Sequence, residues 1–176
     1  MTTKEREANS GSPGPKVEEP KNPETAVMLG RGLISEAEKG TTPSARRVLR
    51  LEAAGHFRTA IRMNAAHEEA YGWLAHALRL VGQDIRESNA EAADDYLRLA
   101  CAVAWEAKSK TQAAALSGRT RQEAKILIAW LRATRHLTID EAESEMETLR
   151  TQRLSEALES EAVAGASQNP SAPAST

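Results

Sequence analysis

The chain has 176 residues but only one cysteine, Cys101, and a net charge of only −2. A single cysteine excludes an internal disulfide and is typical of proteins in a reducing compartment. The first residues, MTTKEREANS, lack the apolar run of a signal peptide, and position 2 is not the glycine that N-myristoylation requires. No run approaches the roughly 18 apolar residues that a membrane-spanning helix needs. We therefore expect a soluble cytoplasmic protein, whose small net charge by itself indicates no class of partner.

The sequence also lacks the residue patterns of common catalytic and metal sites. The histidines form no HExxH pattern, and a single cysteine cannot form CxxC. Gly30-Arg31-Gly32 is too short for a phosphate-binding loop. Cys101 lies in an apolar stretch, where a thiol behaves as a small inert hydrophobe. We expect a protein that is not an enzyme and has no metal or cofactor, and we expect surface or helix-cap roles for its histidines: His56, His67, His76 and His136.

The two ends of the chain differ in composition from its middle. Residues 1–21 contain little apolar material beyond Ala8 and Val17, and the end of the chain consists of Ala, Ser, Pro, Asn, Gln, Gly and Thr. Such segments bury too little apolar surface to offset an ordering entropy of roughly 1–2 kcal/mol per residue. We predict disordered tails at residues 1–21 and 164–176, with helical hairpins at 22–107 and further C-terminal helices at 108–163.

Capping residues mark the helix boundaries between these tails. Asn22-Pro23 and Thr42-Pro43 each place a cap before a proline at the first helical position, and Gly40 is a stop. We predict that Asn64 caps the third helix and that Gly82 ends it. Later helix starts are predicted from capping-box pairs, namely Ser88 with Glu91, Ser109 with Gln112, Thr120 with Glu123, and Thr138 with Glu141. Six or seven helices follow, without a strand, and their short loops predict an all-α fold of antiparallel hairpins.

The apolar faces of the later helices differ in width. Ala92–Trp105 is apolar nearly all round after Arg98, which predicts a central buried helix. Ala124–Leu131 is predicted to be a second core element. The helix from Ile139 has only a narrow apolar stripe, which predicts that it lies over a neighbour with its acidic face in water.

Small and large apolar residues between positions 26 and 105 recur in a regular order. Tyr71, Leu74, Ala75, Leu78 and Gly82, followed by Ala92, Tyr96 and Leu99, resemble one tetratricopeptide repeat, a helix–turn–helix unit of about 34 residues. The preceding unit is less regular, with Ala26, Leu29, Gly30 and Leu33 in its first helix and Ala53, Phe57 and Ala60 in its second. A loop at Gln83–Asn89 is longer than the family's, and the match ends after Ala107. The resemblance implies stacked hairpins with a C-terminal helical cap.

Proteins of the tetratricopeptide family present surfaces to partner proteins. The resemblance therefore implies a non-enzymatic interaction module, such as an adaptor or an accessory subunit of a complex. Its concave surface, formed by the first helices of the repeats, would hold a peptide or helix of a protein partner. The candidate partner-binding residues are Arg31, His67, Tyr71 and Arg79. The exposed guanidinium groups of the two arginines would offer paired donors to carboxylates.

A basic segment from Lys108 to Arg135 supports an alternative function. It has seven basic residues against the single acidic Glu123, and it weakly resembles a bacterial helix-turn-helix with Thr120 at the start of the recognition helix. The candidate nucleic-acid contacts are Lys110, Arg119, Arg121, Gln122 and Lys125. Alternatively, the acidic helix that follows neutralises the charge of this segment, which then binds no nucleic acid. A third possibility is that the protein is a structural subunit of a larger assembly.

Overall fold

The structure, a computed structural model, describes residues 20–40, 42–111, 116 and 118–166, with side chains as far as Arg153. This part of the chain is all-α, as predicted, and forms six helices without a strand. They are α1 (Pro23–Lys39), α2 (Pro43–Met63), α3 (Glu68–Ile85), α4 (Ala90–Thr111), α5 (Gly118–Arg135) and α6 (Ile139–Ala166). The tails predicted to be disordered lie outside the described residues, apart from Pro20, Lys21 and the last residues of α6.

Consecutive helices from α1 to α3 run antiparallel. Gly30 of α1 faces the ring of Phe57, and Gly40 just after α1 faces Arg46 at the start of α2. The ring of Phe57 in turn stacks on Trp73, with ring centroids 6.1 Å apart, and Arg50 pairs with Asp84 at the other end of α3. Contacts therefore run from the end of one helix to the beginning of the next, as in a series of hairpins.

α3 is the central helix of the fold. It packs against α1, α2, α4 and α5, while α6 packs on α4 and α5. Leu74, Leu78 and Val81 of α3 are almost completely buried, because neighbouring helices cover most of its circumference. The predicted core role of α4 is confirmed, since all residues from Ala100 to Trp105 are buried.

Small residues set the spacing between α3 and its neighbours. A Cβ atom on Gly72 would lie 2.5 Å from both the backbone nitrogen and the hydroxyl oxygen of Thr120, so only glycine allows α5 to cross α3 here. The Thr120 hydroxyl uses this proximity to donate a hydrogen bond to the carbonyl of Glu68, at 2.8 Å. Gly82 likewise faces the carbonyl of Ala93 in α4. Close backbone approach at these points lets neighbouring helices share one core.

The apolar stripes of α5 and α6 are buried in part. In α5, Ala124, Leu127 and Leu131 are buried, whereas Ile126 is 37% exposed. In α6, Ala142, Met146 and Leu149 face the core, and Ile139 at the first position stays exposed. The predicted narrow stripe of α6 is therefore confirmed for three of its four residues, although α6 packs on both α4 and α5 rather than on one neighbour. α5 is a core element on one side only.

Several capping predictions are confirmed. Asn22 and Thr42 accept hydrogen bonds from Thr25 and Ala45 at the starts of α1 and α2. Thr138 and Glu141 form the reciprocal capping box of α6, in which Glu141 accepts from the Thr138 backbone at 2.7 Å. These motifs involve residues three positions apart, so their geometry depends little on the rest of the fold.

The predictions for α3 were wrong at both ends. Asn64 lies at the C-terminal end of α2, and His67 caps α3 by accepting a hydrogen bond from Ala70 through Nδ1. The helix continues past Gly82 to Ile85, because Gly82 serves as the contact point with α4 rather than as a stop. The loop after it is consequently shorter than the predicted Gln83–Asn89.

Three predicted capping boxes were also wrong. α4 begins one residue after Asn89, whose side chain accepts from Ala92, and the Ser88 hydroxyl donates instead to the carbonyl of Ile85. Ser109 lies inside α4, which extends to Thr111, and its predicted partner Gln112 is outside the described residues. Thr120 and Glu123 lie inside α5, and their side chains reach across to α3.

Asn89 and Ser88 provide a direct comparison of the two possible caps. Because the Asn89 side chain satisfies a backbone donor at the start of α4, we expect Asn89→Ala to lower the free energy of unfolding by about 1 kcal/mol. Ser88→Ala removes no cap and should have a smaller effect. Urea denaturation followed by circular dichroism measures both, and an equal or larger loss for Ser88→Ala would contradict the assignment.

Candidate interaction surface

Trp73 lies at the centre of a polar groove between α1, α3 and α5, which we call the tryptophan groove. The guanidinium carbons of Arg31 and Arg119 lie over its ring, at 5.1 and 4.3 Å from the centroid. The indole N–H donates to Glu69 at 3.0 Å, and the edge of the His76 ring meets the indole with centroids 5.5 Å apart. Cation–π contacts of this kind orient the guanidinium groups. Each group also lies near a protein carboxylate through its Nη1, Arg31 at 3.5 Å from Glu69 and Arg119 at 3.7 Å from Glu123.

The groove has a volume of about 410 Å³ and is open to solvent. Arg31 enters it from α1 and Arg119 from α5, with side chains 52% and 28% exposed. Ser35 and Glu38 of α1 complete the rim. The surface thus combines an aromatic face with two accessible guanidinium groups, a combination enriched where proteins bind other proteins.

A buried carboxylate holds the α5 side of the groove in place. Glu123 is 0% exposed, and it accepts hydrogen bonds from His76 Nδ1 at 2.8 Å and from Arg79 Nε at 2.7 Å. His76 Nδ1 donates to this carboxylate in the tautomer that carries its proton there, whereas in the other tautomer it accepts from Arg79 Nη2 at 3.1 Å. Arg119 Nη1 lies 3.7 Å from the same carboxylate. This Glu123 network therefore ties α5 to α3 and positions Arg119 beside Trp73.

Two opposing effects act on the pKa of Glu123. Burial raises it, and hydrogen bonds from His76 and Arg79 lower it, so that the pKa of the carboxyl lies below its ordinary value. The carboxylate is therefore ionised at neutral pH although it is fully buried. Such a charge is stable inside a protein only while its donors remain in place.

The comparisons with known proteins find no match. No protein family model, no curated protein sequence and no solved structure is matched by the chain. The tetratricopeptide resemblance therefore stays a prediction, as does the weaker helix-turn-helix resemblance.

The predicted partner-binding residues do not form one surface. Arg31 lies in the tryptophan groove. His67 caps α3 and lies 3.8 Å from Glu24 in α1. Tyr71 is only 4% exposed and donates to the carbonyl of Ala65, and burial raises the pKa of its hydroxyl to about 12. The prediction that Arg79 is exposed is wrong, because its guanidinium group is largely buried and binds Glu123.

The predicted nucleic-acid contacts are also separated. Arg121, Gln122 and Lys125 lie together on the exposed side of α5. Arg119 lies over Trp73 and also donates to Gln122 at 3.2 Å, and Lys110 is exposed in the last turn of α4. Thr120, expected to begin a recognition helix, is buried against α3 instead. The inward positions Ala124 and Leu127 are buried as predicted.

Trp73, His76 and Glu123 were not recognised as site residues from the sequence. His76 was expected at the surface, but it is 9% exposed and bound to Glu123. One sequence signal could have indicated that Glu123 is buried. It is the single acidic residue in the basic segment from Lys108 to Arg135, and its position relative to Leu127 and Leu131 places it on the same apolar face of the helix. The buried thiol of Cys101 agrees with its predicted inert role, and burial raises its pKa to about 12.

The described residues, 20–40, 42–111, 116 and 118–166, offer neither a metal site nor a membrane-spanning helix. Among them, no group of three or more His, Cys, Asp or Glu side chains is placed to hold a metal ion. Each helix that the structure describes is also too short or too polar to cross a bilayer.

Proposed function

We propose that this protein is a non-enzymatic interaction module whose tryptophan groove binds an acidic segment of a partner protein. The observation that carries the proposal is the placement of Arg31 and Arg119 over the ring of Trp73 in an open groove. Planar guanidinium groups offer paired donors to carboxylates, and the half-buried indole offers apolar contact area between them. The partner segment would therefore combine carboxylates with an apolar side chain.

The helix order supports a tetratricopeptide-like architecture for this module. The groove is formed by α5 of the C-terminal cap together with the first helices of the two proposed repeats, α1 and α3, which pack on each other. In the tetratricopeptide resemblance these first helices form the concave surface. An adaptor or accessory subunit of a larger complex is the role that follows from such a surface.

A nucleic-acid-binding role is the second candidate. Arg121 and Lys125 are exposed one helical turn apart on α5, and neither has an ion-pair partner among the described side chains. The favoured function remains protein binding, because Thr120 and Glu123 are buried against α3 and only one side of α5 is accessible. Cytoplasmic localisation is part of the same proposal.

Affinity purification from the native source tests the proposed function. We expect the wild-type chain to retain one stoichiometric protein partner, and Arg31→Glu to weaken that complex by about thirtyfold, the usual effect of losing a central arginine contact. Arg31 is exposed, so this change should leave the fold intact. Arg47→Glu makes the same charge change at an exposed position outside the groove and is the matched control.

Other outcomes of this experiment are equally informative. Equal weakening by Arg31→Glu and Arg47→Glu would contradict a specific role for the groove. Recovery of partners that is abolished by nuclease, and by Arg121→Glu with Lys125→Glu, would favour the nucleic-acid role instead. In that case binding should also fall steeply with salt, because each phosphate contact releases counterions.

A further inference from the structure

A second groove lies on the other side of α3, between α2, α4 and α6. α2 and α4 both pack on α3, but within the described residues their backbones do not approach each other closely. The space between them is a cavity of about 380 Å³ whose floor includes Tyr71 and Leu74. A cavity of about 550 Å³ between α4 and α6 adjoins it, since Arg58 and Arg153 line both. We call these two adjoining cavities the arginine groove.

The rim and the floor of this groove differ in chemistry. Four arginines line it against two carboxylates, Asp95 and Glu106, so positive charge is in excess. The floor is apolar, with Ile61, Leu99 and Leu149 partly or largely buried. Its four arginines are Arg58, Arg62, Arg98 and Arg153.

Two of these arginines are available to a ligand. Arg58 and Arg98 are exposed, and neither forms an ion pair or hydrogen bond with another described side chain. This contrasts with Arg31, Arg79 and Arg119 on the opposite side of α3, which already contact carboxylates. The positive charges of Arg58 and Arg98 are therefore not paired with a carboxylate among the described side chains.

We propose that the arginine groove binds an acidic amphipathic helix of a partner protein. An elongated apolar floor between helices accepts the apolar stripe of another helix, whose side chains recur at i, i+3, i+4 and i+7. Carboxylates beside that stripe would meet the guanidinium groups of Arg58 and Arg98. Along α4 the groove extends from Asp95 to Glu106, roughly 16 Å by helical rise, which corresponds to about three turns of the bound helix.

A helix is favoured over nucleic acid as the occupant for two reasons. Asp95 and Glu106 line the groove and would repel a phosphate backbone. The apolar floor contains aliphatic side chains, whereas a single-stranded nucleic acid is usually held by aromatic rings on which its bases stack. Of the two aromatic residues that line the groove, Tyr71 is buried and Tyr96 is partly buried against the core.

The proposal can be tested with a fluorescein-labelled synthetic peptide of 14 residues containing Leu at helical spacing and Glu and Ala elsewhere. Fluorescence anisotropy should show binding to the full chain, and Arg58→Glu with Arg98→Glu should weaken binding by about tenfold or more, because attraction becomes repulsion. Arg47→Glu with Arg132→Glu changes the net charge equally at exposed positions outside both grooves and should leave binding unchanged. Thermal melts of both double variants check that they fold.

Matched peptides distinguish this groove from other binding modes. A scrambled peptide of equal composition, and one with Lys in place of Glu, should bind at least tenfold more weakly. Equal binding of the scrambled peptide, equal loss in both double variants, or stronger binding of a 20-nucleotide DNA at the same arginines would overturn the proposal. Loss of binding in Arg31→Glu would place the peptide in the tryptophan groove and would also overturn it.

A second copy of the chain is the remaining alternative occupant, because the last part of α6 is itself acidic and contains Leu154 and Leu158. Sedimentation velocity of the full chain distinguishes this case. We expect no self-association that depends on the groove arginines. A dimer that Arg58→Glu with Arg98→Glu abolishes would assign the groove to the chain itself and reject the partner helix.

Discussion

Replacing Glu123 with alanine should lower the free energy of unfolding by about 3–5 kcal/mol, the usual cost of removing one partner from a buried ionic network. The change leaves the partly buried guanidinium group of Arg79 and the N–H of His76 without their acceptor. Because these groups join α3 to α5, the two helices also lose a direct connection. Denaturant unfolding monitored by circular dichroism measures the loss.

Glu143→Ala is the matched control, because Glu143 is exposed on α6 and has no ion-pair partner among the described side chains. Its effect should stay within about 0.5 kcal/mol. Similar losses for the two variants would show that the Glu123 network contributes little to stability. In the structure the network also positions Arg119, so Glu123→Ala should weaken partner binding by the tryptophan groove as well.

The same network makes stability depend on pH. The pKa of Glu123 is lower in the folded protein, so the folded carboxyl binds its proton less tightly than the unfolded one. Its contribution to stability is complete above the unfolded pKa of about 4.3 and is lost as the pH falls through the lower folded pKa. The destabilisation caused by Glu123→Gln should therefore be largest at neutral pH and shrink below about pH 4. A difference that stays constant from neutral to acidic pH would exclude this linkage.

Replacing Gly72 with alanine is expected to lower the free energy of unfolding by about 2 kcal/mol or more, within the usual range for overpacking. The added Cβ would lie 2.5 Å from the backbone nitrogen of Thr120 and 2.8 Å from its Cα, and backbone cannot rotate away as a side chain can. The two helices must separate, which also weakens the hydrogen bond from Thr120 to Glu68.

Gly55 offers a control with the opposite expected sign. It is also helical, but a Cβ added there would meet no atom within 4 Å. Gly55→Ala should therefore stabilise the protein by about 0.5–1 kcal/mol through the better helix propensity of alanine. Chemical denaturation of both variants measures the difference, and a stable Gly72→Ala protein would mean that α5 does not cross α3 as closely as described.

Sequence patterns predicted much of the local structure because their causes are local. The caps at Asn22, Thr42 and Thr138 involve backbone groups three residues away, so the sequence contains both members of each contact. The apolar stripe of α6 was found for the same reason, since helical periodicity can be counted along the chain. The predictions at Gly82 and Thr120 failed because each residue type has two possible roles. A glycine can end a helix or allow a neighbouring helix to approach closely, and a threonine hydroxyl can cap its own helix or bond to another helix.

Only part of the candidate surface could be found in this way. From the sequence, Arg31 was a candidate partner-binding residue and Arg119 was a candidate nucleic-acid contact. Trp73 and His76 were missed, because their significance depends on residues of α1 and α5 that are distant in sequence. Arg79 was placed at the surface because its partner Glu123 is 44 positions away along the chain.

The amino-acid sequence by itself determined the all-α class and where three of the six described helices begin, because capping and apolar periodicity are properties of neighbouring residues. Only the tertiary structure decided which side chains meet. The crossing of α5 over Gly72 brings Glu123 to His76 and places Arg119 on Trp73. Such contacts depend on the packing of distant segments, which no single stretch of the chain specifies.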